Sequence, residues 1–167
     1  MALVFGLVVA LGLWLGADAG CTKRGGCCMA CSEGWTELND SCYMFFHEEK
    51  PWDDAEEHCI SIGGNLASIH SKADYEALLG LIRRASGRDK PTWIGGYDAV
   101  REGYWKWVNG RPFTYRFWGP GHPNNYGQKQ DCLEVNYALD KEIPNDLFCE
   151  RHRSYICGRD LEIREKQ

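Results

Sequence analysis

Basic charge is in short supply. The 167 residues carry 19 Lys and Arg against 24 Asp and Glu, a formal charge of −5. That balance argues against a nucleic-acid ligand, because no cationic excess is available to displace counterions from phosphates. Long apolar runs are scarce too: only residues 3–15 form one, broken by two glycines, and it is too short to span a bilayer comfortably. No membrane span is therefore expected. The chain has no internal repeat, no low-complexity tract, no H-E-x-x-H spacing and no nucleophile motif, so nothing points to an enzyme. Disorder is excluded by composition, with 44% hydrophobic and 13% aromatic residues, 7 of them Trp and 8 Tyr. The length suits one domain with a short extra segment.

What is abundant is cysteine. Nine in so short a chain indicate an oxidising compartment or a metal site, with the spacing favouring disulfides, and in a secreted protein an odd count leaves at least one thiol for another chain. Residues 1–19 read as a secretory signal peptide, an apolar core followed by the cleavage pattern Ala17-Asp18-Ala19. Residues 20–30 are small, Gly-rich and without periodicity, a tail outside the core that holds Cys21, Cys27 and Cys28. The folded domain is expected over residues 31–160, with a short tail at 161–167.

Within it, residues 35–38 and 42–46 pattern as a hairpin turned at Asn39-Asp40. Pro51 suits the first turn of a helix that buries Trp52, Ala55, Cys59 and Ile62 and stops at Gly63-Gly64. Ser71, with Asp74 three residues on, begins a second helix striped by Tyr75, Leu78, Leu79 and Ile82. Short strands are predicted at 92–94, 104–107, 113–117, 132–137 and 155–157. Two helices first and strands later predict an α+β domain. The stretch 119–129 is rich in Gly, Pro and Asn, a long surface loop of the kind that carries function. Asn39-Asp40-Ser41 is an N-glycosylation sequon at a turn. Most of the tryptophans, Trp93, Trp105 and Trp107 among them, are expected in the core, with Trp118 near the loop. His47, His58 and His70 are expected at the surface or satisfied by partners, and His152 sits in a small basic patch with Arg151 and Arg153.

Cys31 and Cys42 around the hairpin, Cys59 at the end of the first helix, and Trp93-Ile94-Gly95-Gly96 form one half of a pattern. Cys132, the run Asn145-Asp146-Leu147-Phe148-Cys149 and Cys157 form the other. In this order the chain resembles the long form of the C-type lectin-like domain, over about residues 31–160. Within that family it looks most like the galactoside-binding lectins of fish skin mucus and venom. Fish type II antifreeze proteins share the framework. The resemblance implies an α+β fold of two helices, small antiparallel sheets and a long irregular loop, stapled by Cys31–Cys42, Cys59–Cys157 and Cys132–Cys149. Cys21, Cys27 and Cys28 are then left as candidates for an interchain bridge and a disulfide-linked homodimer.

Sugar-binding members of the family hold calcium with a loop triplet, a Glu before a cysteine and an Asn-Asp pair. Carried onto this chain, those positions are His122-Pro123-Asn124, Gln130, and Asn145-Asp146. His and Gln stand where acids or their amides are usual, and one carboxylate among amides and an imidazole is a poor cradle for a hard cation. Calcium is therefore expected to bind weakly or not at all there, and no cofactor is required. The family's auxiliary calcium positions fall on Asp98, Glu102, Asn125 and Asp131, where a weakly held ion is expected if any is bound. Sugar recognition is expected from His122, Asn124, Tyr126, Gln130, Asn145 and Asp146, with the Tyr126 ring stacking on the apolar face of galactose. The expected function is a secreted, non-enzymatic lectin for β-galactosides such as lactose. It would agglutinate bacteria or cells in innate defence at a mucous or venom surface. Ice binding of the type II kind and a sugar-free protein-binding role are the alternatives.

Overall fold

Asn39 and Asp40 both adopt positive φ, 48° and 64°, the backbone a tight two-residue hairpin turn requires. The turn joins β3 (Thr36–Leu38) to β4 (Ser41–Lys50), as the alternating pattern predicts. The computed structural model describes residues 22–24, 27–136 and 143–164. Residues 1–19, expected as a signal peptide, lie outside the described residues, as do Cys21 and Tyr137.

Before the hairpin come β1 (Thr22–Arg24) and β2 (Cys27–Ala30). After it, α1 spans Trp52–Ser61 and starts behind Pro51, with Asp53 and Asp54 in its first turn facing the positive end of the helix dipole. Trp52, Ala55 and Cys59 are buried, as the apolar spacing predicts. So is Glu56, an unexpected core member. It accepts from Asn65 Nδ2 and from the Leu66 backbone N–H, both at 2.6 Å, and so ties β5 (Asn65–Leu66) to α1. Burial pushes the Glu56 carboxyl up.

Helix α2 spans Lys72–Ser86. The Ser71 hydroxyl accepts from Asp74 N at 3.1 Å, while the Asp74 carboxylate reaches back to His70 N rather than to Ser71. Gly87, at φ 75°, closes the far end. Leu78, Leu79, Leu81 and Ile82 are buried.

The remaining strands are β6 (Thr92–Tyr97), β7 (Lys106–Trp107), β8 (Cys132–Val135), β9 (Asn145–Leu147), β10 (Arg153–Asp160) and β11 (Glu162–Arg164). The main sheet runs β3-β4-β10-β6-β8-β9, with β5 on β10 and β7 on β6. The β10–β6 pair is parallel. A second sheet, β1-β2-β11, joins the two segments expected as tails. Cys27 and Cys28 lie in its middle strand.

Three expectations need correction. Residues 113–117 form no strand, and residues 104–107 contribute only the two residues of β7. The aromatic side chains pack on one another instead of aligning their backbones. Trp107 and Phe113 rings lie 4.7 Å apart, Trp105 and Trp118 4.8 Å, and Tyr115 and Phe117 5.5 Å. Strand β6 also continues through Gly95-Gly96, where a stop was predicted. Bare backbone is needed there because β5 and β8 press on the strand. A Cβ on Gly95 would lie 2.5 Å from the Leu66 carbonyl oxygen, and one on Gly96 2.7 Å from Leu133 Cδ1.

The three disulfides implied by the resemblance are present: Cys31–Cys42, Cys59–Cys157 and Cys132–Cys149. The second spans 98 residues, and a loop of that size stabilises by about 4–5 kcal/mol in the chain-entropy picture. His58 is satisfied by the Tyr155 hydroxyl at 2.7 Å and His70 by Ser68 at 2.8 Å.

Gly95→Ala forces a Cβ against an unyielding carbonyl. It is expected to lower stability by about 1–3 kcal/mol in a denaturant melt, while Gly80→Ala, inside helix α2 where an added Cβ meets only the movable Arg84 guanidinium, is expected to hold stability or raise it.

Candidate functional site

The loop between β7 and β8 is assembled around Asp146. This residue lies on β9, opposite Leu133 of β8, and has 0% exposure. Its carboxylate accepts from the backbone N–H of Asn124 at 2.9 and 3.0 Å and from that of Asn125. The His122–Pro123 peptide before them is cis. Gln130 Oε1 accepts from Tyr126 N at 2.7 Å, Asn124 Oδ1 accepts from the same N–H at 3.0 Å, and Asn125 Oδ1 accepts from Gln130 N at 3.1 Å. His122 Nδ1 lies 3.2 Å from Asn124 Nδ2 and 3.8 Å from Asp146 Oδ1. Each amide side chain thus holds a turn of backbone that has no regular partner of its own.

Five of the six expected sugar-contact residues therefore gather in one cluster: His122, Asn124, Tyr126, Gln130 and Asp146. They do not share one exposure. Asn124 and Tyr126 face solvent, Tyr126 at 76%, whereas Gln130 and Asp146 are buried beneath them. Asn145 points elsewhere. Its Nδ2 donates to Glu134 Oε1 at 2.9 Å, and Arg153 Nε donates to Glu134 Oε2 at 2.6 Å. Glu134 has 0% exposure, so its charge is matched inside the fold. Sequence reasoning missed Glu134 and Arg153. The available signal was an acid in the otherwise apolar run Cys132-Leu133-Glu134-Val135, a position that strand burial permits only to a paired charge.

The four auxiliary positions also meet. Asp98, 1% exposed, accepts from Gly103 N at 2.8 Å through Oδ2, and its N–H donates to the Asp131 carbonyl at 3.1 Å. Asn125 Nδ2 donates to the Glu102 carboxylate. Asp98 Oδ1 is buried with no hydrogen-bond partner. Burial raises the Asp98 carboxyl to about 6. The Gly103 bond opposes the rise, and the charges of Glu102, Asp131 and Asp146 add to it.

These donors bear on calcium in opposite ways. At the first position both Asp146 oxygens are committed to backbone N–H groups, and amides and an imidazole surround them. That set does not suit a hard dication. At the auxiliary position an orphaned carboxylate oxygen among acids does suit one. Even so, among the described residues no three His, Cys, Asp or Glu side chains are grouped as a metal site.

Two helices, a mixed sheet, three disulfides and a long polar loop pinned to a buried aspartate define a lectin-like domain. The chain belongs to the C-type lectin family: the Lectin C-type domain matches residues 48–159. It is 37% identical over 147 residues to the galactose-specific lectin nattectin of Thalassophryne nattereri, covering 88% of this chain and 90% of that protein. It is 41% identical over 133 residues to the lactose-binding lectin l-2 of Anguilla japonica, covering 77% of each. A calcium-independent type II antifreeze protein of known structure is 30% identical with a TM-score of 0.72, covering 80% of this chain and 97% of that one. The family and these lectin relatives indicate carbohydrate binding and no enzyme class.

Asp98 carries a testable cost. The folded carboxyl keeps its proton up to about pH 6, whereas an unperturbed one releases it near 3.8. Ionisation therefore costs stability as pH rises between those values, fully so above the upper one. In EDTA, Asp98→Asn is expected to stabilise the protein by about 1–3 kcal/mol at pH 7.5 and to bring no such gain at pH 3.5, read by denaturant titration.

Proposed function

We propose that the protein is a secreted lectin that binds β-galactosides at the loop carrying His122, Asn124 and Tyr126, with no calcium at that position. One observation carries the reading. The Asp146 carboxylate is already neutralised by the backbone N–H groups of Asn124 and Asn125. A loop closed in this way presents its shape without a cation. Tyr126, 76% exposed, offers a flat ring for the C–H face of galactose. The Asn124 amide and the His122 ring beside it bind hydroxyls, and Gln130 and Asp146 hold the backbone from below. Two relatives whose names specify galactose and lactose support the ligand class.

Calcium has a separate place in this reading. Asp98, Glu102, Asn125 and Asp131 take the ion weakly, and it stabilises the fold without touching the sugar. The three bridges use six of the nine cysteines. An odd number therefore remains, and Cys21, Cys27 and Cys28 supply the link of a disulfide-bonded homodimer. Two sites on one molecule convert weak single contacts into avidity and allow agglutination of bacteria or cells at a mucous or venom surface. No helix among the described residues is long and apolar enough to cross a membrane. A second reading, ice binding, draws on the likeness to the calcium-independent antifreeze protein; thermal hysteresis without sugar binding would favour it.

The protein is expected to be retained on lactose-agarose in EDTA and released by free lactose. Tyr126→Ala should weaken binding about tenfold through loss of the ring face. Tight calcium uptake beside Asp146, with retention lost on chelation, would overturn the reading.

A further inference from the structure

A second cleft, of about 440 Å³, is lined by Gly103, Tyr104, Trp105, Phe113 and Arg116. It adjoins the sugar loop through the chain itself. Glu102, the residue before it, accepts from Asn125, and the Gly103 N–H is bonded to Asp98. The cleft is open at Gly103, where an added Cβ would meet nothing within 4 Å.

Its chemistry is one-sided. The indole N–H of Trp105 is buried and has no acceptor, although a buried donor ordinarily finds one. Arg116 brings an exposed guanidinium to the rim. The Arg101 guanidinium lies 3.6 Å over the ring of Tyr104, which is itself 57% exposed. No lining residue is an acid, and the acid next door, Glu102, is occupied by Asn125. Aromatic faces suit a pyranose ring, and a guanidinium at their edge suits an anionic substituent on it. In a chain of net charge −5, such a local cationic pair runs against the overall field.

We propose that this cleft is a second glycan subsite, which receives an anionic sugar unit attached to the galactoside held at Tyr126. The inference rests on the galactoside reading above. The shared chemistry is a negatively charged group on a pyranose, whether a sulfate ester or a sugar carboxylate. The Trp105 and Tyr104 rings pack against the sugar, and Arg116 binds the charge.

The test compares three probes by calorimetry with the full mature protein in EDTA: lactose, lactose bearing one sulfate ester, and lactose extended by one sialic acid. At least one acidic probe is expected to bind about tenfold tighter than lactose at low ionic strength, a gain that one charge-assisted contact can supply. The gain should shrink with added salt. Which acidic probe shows it identifies the source of the charge. Arg116→Ala and Tyr104→Ala should abolish the gain and leave lactose affinity unchanged, and Arg116→Lys should restore part of it. Both positions are exposed, and matching melting curves confirm intact variants. Equal binding of neutral and acidic probes, or a gain that survives both substitutions, overturns the inference and leaves the galactoside reading standing. Failure of all three probes to bind overturns both.

Discussion

A carboxylate with no exposed surface must be neutralised by something, and in this protein backbone dipoles do it. Asp146 sits on the short edge strand β9, and the amides of Asn124 and Asn125 close on it from the loop. The loop's remaining order follows from that anchor. Once those two residues are fixed, Tyr126 N falls within reach of Gln130 and Asn124, and Gln130 N within reach of Asn125. Beneath the anchor, Glu134 joins Asn145 of β9 to Arg153 of β10. The edge strand is thus held by side-chain charge as well as by its ladder. The exposed face of the loop takes its shape from that anchor.

Much of this was legible in the residues alone. The helices announced themselves through 3.6-residue spacing and caps, at Pro51 and Ser71. The Asn39-Asp40 turn did so through residues that tolerate positive φ. The disulfides and the loop positions became legible only through resemblance, because spacing alone does not set connectivity. The aromatic stretch 113–117 looked like a strand because aromatic residues favour strands. Its rings found partners in Trp107, Trp105 and Trp118 instead, and tertiary packing overrode local preference. Glu56 was unreadable as a core residue and Glu134 was marked only by its place in an apolar strand, since an acid is buried only when a partner distant in sequence is waiting for it. The direction of Asn145 was lost for the same reason: its partner is eleven residues away on a neighbouring strand.

The division of labour at the site follows from exposure. Amide and carboxylate groups that family likeness ties to a metal serve here as scaffolding, turned inward. What remains outward is an aromatic ring and an amide, with the His122 imidazole half-sunk beside them. On the reading proposed above, such a surface would discriminate by shape and hydroxyl geometry. Strength then has to come from elsewhere, through multiple attachment or through neighbouring contacts on a longer glycan.

The small sheet β1-β2-β11 has a mechanical meaning. Its middle strand carries Cys27 and Cys28 and is hydrogen-bonded along both edges, to Lys23 and Arg24 on one side and toward Arg164 on the other. A covalent tie leaving from such a strand starts from a clamped platform, not from a floppy leash. Two copies joined there would hold their binding faces at a set spacing and angle, so a paired molecule would act as a caliper, favouring surfaces whose sugars are spaced to match.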